Sequence, residues 1–571
     1  MQTVNVCVDK KIPVNKERLL TFLFGFCMFS TGGAGLVNEY ILATMTTYIL
    51  GNSIEQFSIV IAAMMLMMGL SGWVQEKISD EYNIEKFIII ETLLAILGGF
   101  APIAIYAAYG FFTDHFVFVH YFFVLSIGFL IGFEIPIVMR IINQYGIGIK
   151  KNLKIVYAMD YIGAFVFAIV WITFLLKHFP LTEISFFVNG FNFFVACVTI
   201  GYFVVQNVIV KRRVVILVLI ATALSLVYGY MHNRSWNVLM EQKFYDDPIV
   251  HVETTKYQHL VLTQDKKRND VRLYINGATQ FSSTDEKRYH ELLVHPAMTI
   301  SHDVKNVLIL GGGDGLALRE VLKYRDVKSV TLADLDPDMV KFASTHPIMR
   351  KLNRDSFADA RVFVRKTNNL KSIGPDTVYL QSDTVHVDES EKVEFVAQVD
   401  VYHVDADRFL SELHGKKWDV IIIDFPDPSS VELAKLYSRE FYRKLQWIMH
   451  DDTIVAIQST SPYHAKEAFL TIQRTMNAAG LKTIPYRQNI PSFGDWGYML
   501  AWRGAISVKS MKDKIRDVDN FHITTDFITP DVMIASMAFG KNELVSKNTC
   551  VNSLMMPCLL NQYIDYGWAV E

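Results

Sequence analysis

Seven long apolar runs fill the first 231 residues and decide what that part of the chain can become. They lie near 19–37, 55–74, 87–109, 116–139, 156–176, 183–207 and 213–231. A helix crosses a bilayer core with about 20 apolar residues. A soluble bundle would show polar faces at helical spacing, and these runs lack them. The expectation is an N-terminal α-helical transmembrane bundle over residues 1–235, with about seven spans in the lipid bilayer. No small-residue cleavage site closes a short apolar core after the polar start Met1–Arg18. The first run therefore reads as a retained span rather than a signal peptide.

Lysine and arginine gather before the first run, after the second (Lys77, Lys86), after the fourth (Arg140, Lys150, Lys151, Lys154) and after the sixth (Lys211, Arg212, Arg213). Positive loops mark the cytoplasmic side. This predicts a multi-pass cell-membrane protein with a cytoplasmic N-terminus. Seven spans put the following domain outside, whereas a break of the stretch 19–50 at Gly32, Gly33 and Gly35 into two segments reverses the side. The side stays open. Glu39, Glu91, Glu134, Asp160 and Asn192 lie within or close to the runs, where charge is costly. They read either as structural pairs or as a polar cavity that guides a ligand. Pro136, shortly after Glu134, frees backbone groups for the second reading.

Beyond the runs the chain looks like an ordinary soluble domain. Residues 236–300 read as a linker and a small β-unit with a helix, and 301–571 as an α/β domain. A net charge of −3 gives no reason to expect nucleic acid. Five cysteines are too few for a disulfide scaffold or a zinc cluster. The spacing of Cys550 and Cys558 leaves their pairing open. Val250–Leu262 and Val271–Ile275 alternate as strands, with a turn at Asn276-Gly277. His290 and His295 are five apart, so they do not stack on one helix face as metal ligands would.

The stretch Val307–Asp314, VLILGGGD, opens that domain. Val307–Leu310 reads as a buried parallel strand, Gly311–Gly313 and Gly315 as a turn that lets backbone approach a ligand, and Leu316–Tyr324 as a helix. Strand, glycine turn and helix make the first unit of a nucleotide-binding sheet. A second apolar run ends at Asp334, placed to accept bonds from ribose hydroxyls. Later runs end at Asp405 and at Asp424-Phe425-Pro426-Asp427-Pro428. Five acids, with Asp314, then sit at one sheet edge, more than helix caps explain. Residues 365–400 break the pattern. Ser459-Thr460-Ser461-Pro462 with His464 lacks a nucleophile-elbow pattern and reads as a capping loop.

From about Val250 to Trp502 these residues resemble the spermidine synthases, the polyamine aminopropyltransferases. The carriers are Tyr257-Gln258-His259, Asp285-Glu286 with Tyr289 and His295, GGGDG at 311–315, Asp334, Asp405 and Asp424-x-x-Asp427-Pro428. DFPDPSSVELAKLYSREFY and PSFGDWGYMLA look like the subgroup with an N-terminal membrane domain. The resemblance implies a Rossmann-like, methyltransferase-like fold. It also implies transfer of an aminopropyl group from decarboxylated S-adenosylmethionine, a co-substrate, to a diamine such as putrescine, without a metal. It puts the catalytic base at Asp424, the donor's ribose on Asp334, its adenine on Asp405 and its amino group on Asp314, with Gly311 and Gly313 in the donor turn. Gln258, Tyr289, His290, Asp427 and Asp495 fall to the amine. Phe493 stands where the family often has a tyrosine that orients the amine, and Asp495 is the candidate substitute. Relatives commonly form dimers or tetramers. Two alternatives stand: a non-catalytic polyamine or nucleoside module fused to a transporter or sensor, and an S-adenosylmethionine-dependent methyltransferase.

Overall fold

The computed structural model describes residues 14–566, apart from 51–52, 113–114, 146–148, 207, 210–211, 359–361, 366–397 and 414. The segment 365–400 that breaks the sequence pattern thus lies almost entirely outside the described residues, as does Trp568, which the sequence expects to pack the C-terminal tail onto the domain with Tyr563. The chain divides into two compact units after Pro248.

The first unit is helical. Among the described residues, seven helices are long and apolar enough to cross a membrane: Arg18–Thr47, Glu55–Glu76, Asn83–Phe111, Phe116–Gln144, Leu153–Leu175, Leu181–Val205 and Arg212–Phe244. The first belongs to one unbroken helix, Val14–Leu50, so the glycines at 32, 33 and 35 do not split it. Their use is contact: a Cβ on Gly32 would strike Asp160, and one on Gly33 the Phe167 ring. Helix-breaking propensity gives way where small residues let two helices approach. The helix Arg212–Glu241 also runs through most of the stretch that reads as a linker, leaving only a short turn before the second unit.

Polar groups in this unit fall into two sets. Asn38 and Asn189 exchange side-chain bonds of 2.9 and 2.7 Å, and Asn192 joins them at 3.3 Å. Asn38 and Asn189 satisfy each other, the structural pairing that the sequence leaves as one option, while the Asn192 oxygen has no hydrogen-bond partner among the described residues. Glu91 and Glu134 are also buried, yet both Glu91 oxygens and one of Glu134 have no hydrogen-bond partner among the described residues.

The second unit opens with an antiparallel sheet, β1 (Ile249–Thr254), β2 (His259–Asp265), β3 (Asp270–Ile275) and β4 (Ala278–Ser282), in that order. The run 250–262 is thus two strands, turned at residues 255–258. Asn276 and Gly277 both take positive φ, the turn expected between β3 and β4. A second sheet has eight strands: β5 (Asn306–Gly311), β6 (Ser329–Asp334), β7 (Val362–Arg365), β8 (Gln398–His403), β9 (Trp418–Asp424), β10 (Met449–Gln458), β11 (Lys482–Ile490) and β12 (Gly494–Trp502). Its order is β11-β12-β10-β9-β5-β6-β8-β7. All neighbours from β10 to β7 are parallel, and β12 runs antiparallel to β10 and β11. Val307 and Ile309 feed one buried layer, Leu308 and Leu310 the other. A strand covered on both faces must be apolar at every position, which is why it reads as a continuous run.

The helix Glu286–Ile300 packs against β9, β10 and β11. Pro296 sits inside it and cannot bond the carbonyl four residues back. That carbonyl, of Leu292, instead accepts from the Tyr486 hydroxyl on β11 at 3.0 Å. The helix is thereby fixed to the sheet with Tyr289 and His290 at the strand ends.

Candidate active site

Register assembles the site. Gly311 pairs with Asp424 across β5 and β9, which brings the glycine turn beside the proline-stiffened acidic loop at the C-terminal sheet edge. Gly311 has φ +81°, and a Cβ there would run into the Asp424 carbonyl oxygen. Only glycine satisfies both conditions. The Gly313 amide donates to Asp334 Oδ2 at 2.9 Å, and the Asp336 amide to Oδ1 at 2.8 Å. Asp334 therefore closes the turn from the tip of β6. Burial pushes its carboxyl up to about 6. Asp314 Oδ1 accepts from the Leu316 amide at 2.9 Å, at the start of the helix Leu316–Val321.

His290, Asp314 and Asp424 are buried and bring one polar atom each within 4.8 Å of one another. Two acids that close repel, and the positive charge of His290 beside them offsets that repulsion. Burial alone would lower the His290 pKa. The Glu286 hydrogen bond at 3.0 Å and its charge outweigh burial and raise it to about 9. Glu286 is gripped in turn by both terminal nitrogens of Arg319, at 2.8 Å each, a bidentate pairing that fixes geometry as well as charge. Burial, then the neighbouring Asp314, pushes the Asp424 carboxyl up to about 6, while His290 and a 2.7 Å bond from the Tyr289 hydroxyl to Oδ1 pull it back. A group poised near 6 is a carboxylate at neutral pH and a competent proton acceptor.

Three residues along the loop, Asp427 accepts from Gln458 Nε2 at 3.3 Å on Oδ1, and from Thr460 Oγ1 at 3.1 Å and the Tyr563 hydroxyl at 2.9 Å on Oδ2. Burial pushes it, too, up to about 6. The Gln458 amide also bonds the Tyr437 hydroxyl at 2.6 Å, and that hydroxyl reaches the Pro426 carbonyl at 3.0 Å. Gln458 ends β10, the next strand along the sheet, and the strand-end rule that finds Asp424 would have found it too. Glu286, Arg319 and Thr460 had weaker signals. Tyr563 had none.

The remaining predicted residues are less central. Gln258 lies in the β1–β2 turn, held through Thr255, whose hydroxyl donates to Asp336 at 2.6 Å. Asp405 caps the helix Ala406–Glu412 through the Arg408 amide and pairs with Lys435 Nζ at 3.0 Å. Asp495 is bound by Arg487 at 2.9 Å, so its carboxylate turns to that cation rather than to Asp424. Phe493 packs edge-on to Tyr289, ring centres 6.1 Å apart. Ser461 accepts from the Tyr463 and His464 amides, a capping turn rather than a nucleophile. His295, with Glu291 and Glu320, forms a second buried group with metal-ligand spacing. There Glu320 and Tyr324 hold His295, and three backbone amides, of Asp526, Phe527 and Ile528, hold Glu291.

Residues 286–403 and 392–511 match the spermine/spermidine synthase domain. A polyamine aminopropyltransferase of Oceanobacillus iheyensis is 34% identical over 542 residues, which cover 94% of this chain and 95% of that protein. This chain belongs to the polyamine aminopropyltransferase family. A second member, from Leptospira interrogans, is 33% identical over 493 residues, covering 86% of this chain and 89% of the other. A third, from Ralstonia nicotianae, is 33% identical over 530 residues, covering 92% and 91%. These matches extend well beyond the synthase domain into the apolar helices. The chain is thus an aminopropyltransferase, which sets the methyltransferase alternative aside.

Proposed function

We propose that this aminopropyltransferase takes decarboxylated S-adenosylmethionine as donor and a diamine such as putrescine as acceptor, giving spermidine and methylthioadenosine. The observation that carries this is Asp424 at hydrogen-bonding distance from Tyr289 and directly beside the glycine turn. An acceptor ammonium has no lone pair until it loses a proton, and Asp424 is placed to take it. The freed lone pair attacks the methylene next to the donor sulfonium. The carbon–sulfur bond breaks, its electron pair returns to sulfur, and the neutral thioether leaves. Asp334 suits the ribose, and Asp314 the donor's amino group. Lacking a carboxylate, that donor tail is cationic and suits the acids lining the turn. Release of methylthioadenosine only when both donor and diamine are present tests the assignment. Release with donor alone would contradict it.

The enzyme is, on this reading, membrane-bound. Seven apolar helices support it, and the positive loops favour a cytoplasmic N-terminus. An odd number of spans then puts the second unit on the opposite face. The Cys550–Cys558 disulfide fits that side, since such bonds persist in oxidising compartments. Reporter fusions after Glu76, Phe111 and the C-terminus test the topology. A cytoplasmic signal from the C-terminal fusion would refute it.

A further inference from the structure

The C-terminal segment reaches back into the acceptor end of the site. Cys550 and Cys558 are joined, and the helix Cys558–Tyr566 starts at the second of them. Between the two, Asn552 donates to the carbonyls of Ala434 and Tyr437 at 2.8 and 3.1 Å, and its own carbonyl accepts from the Arg439 amide at 2.9 Å. The closed loop is therefore fastened to the segment that carries Tyr437, whose hydroxyl touches the acidic loop. One turn and a half into the helix, the Tyr563 hydroxyl donates to Asp427 Oδ2 at 2.9 Å.

We propose that Tyr563 is a positioning residue for the acceptor amine. This rests on the aminopropyl-transfer reading of the site. An ionised carboxylate offers about four lone-pair positions. Thr460 and Tyr563 fill those of Oδ2, and Gln458 takes one on Oδ1. Among the described residues one position on Oδ1 remains, and it is the place for an ammonium. Asp424 takes the proton from the reacting nitrogen, while Asp427, three residues along a loop stiffened by Pro426 and Pro428, meets the second nitrogen of the same amine. Tyr563 locks the carboxylate so that the remaining position faces that nitrogen. It thereby selects amines with two cationic ends over those with one. The disulfide loop is the anchor that holds the tyrosine there.

The test uses the full chain in detergent with the decarboxylated donor. Wild type, Tyr563→Phe and the double variant Cys550→Ser/Cys558→Ser are compared. The acceptor is an α,ω-diamine, and an n-alkylamine of equal length serves as competing ligand. Loss of a hydrogen bond to a charged group raises KM for the diamine roughly ten- to hundred-fold in Tyr563→Phe. Turnover at saturation and donor affinity stay as in wild type, and inhibition by the monoamine is unchanged. The double cysteine variant shifts KM in the same direction. An unchanged diamine KM, or equal losses for diamine and monoamine, overturns the proposal. Donor affinity measured by calorimetry shows that each variant is folded. A wild type with no turnover on any amine would instead bring down the transfer reading, and this inference with it.

Discussion

The Tyr289 hydroxyl lies 2.7 Å from Asp424 Oδ1, and both groups are buried at the end of β9. The bond favours the ionised carboxylate, against the burial that holds its pKa near 6. The sign follows. On the proposed reading Asp424 is the base and acts only when ionised, so activity falls as pH drops through about 6. Tyr289→Phe removes a stabiliser of the ionised form and moves this acid limb to higher pH. Turnover at neutral pH falls roughly tenfold. A pH profile of kcat/KM checks it, and an unmoved limb counts against the pairing.

Asp424→Asn keeps the shape and removes the proposed base. A positioned base is worth roughly 10²–10⁴ in rate, so turnover falls by that range while the donor still binds. Calorimetry with the donor, run beside the activity assay, separates this from misfolding.

Arg319, Glu286 and His290 couple the site to pH stability. The raised His290 pKa, about 9, contributes stability that is full below its unfolded value near 6.5 and is lost as pH climbs through 9. Glu286 goes the other way. Burial would raise it, but the His290 and Arg319 bonds outweigh that and hold it at about 2. Its contribution is present above roughly 4.3 and lost as pH falls through 2. Both act fully between about pH 4.3 and 6.5. Glu286→Gln breaks the pair, costs about 3–5 kcal/mol and flattens the alkaline fall in Tm. Thermal unfolding from pH 5 to 10 measures both effects.

Gly311 and Gly277 share a φ of +81°, yet a Cβ on Gly277 meets open space while one on Gly311 meets the Asp424 carbonyl. Gly277→Ala carries strain alone, about 1–2 kcal/mol. Gly311→Ala adds displacement of the acidic loop, and donor affinity goes with it. Equal effects of the two substitutions on donor binding would refute this account of the turn.

The strand–glycine–helix unit and the acids at 334, 424 and 427 were legible because each sits at the end of an apolar run, and run ends map to one sheet edge. The helices of the first unit were legible for the same reason of composition. Glycines 32 and 33 misled, since close packing against Asp160 and Phe167 depends on residues far along the chain. The turn at 255–258 was hidden inside an alternating run. The stretch from Trp236 read as a linker leaving the last apolar run, whereas the helix there continues from that run to Glu241. Asp405 and Asp495 lie where the motifs pointed, but Lys435 and Arg487 engage their carboxylates, and no local pattern foretells a distant cation. Tyr563 stands 136 residues from Asp427 and reaches it only through the folded tail.

The most direct measurement is mass spectrometry of products from the detergent-solubilised chain, given decarboxylated S-adenosylmethionine and a panel of diamines and monoamines. The account predicts an aminopropylated diamine and an equal amount of methylthioadenosine, with both absent in Asp424→Asn. Donor bound tightly with no aminopropylated product from any amine would contradict it.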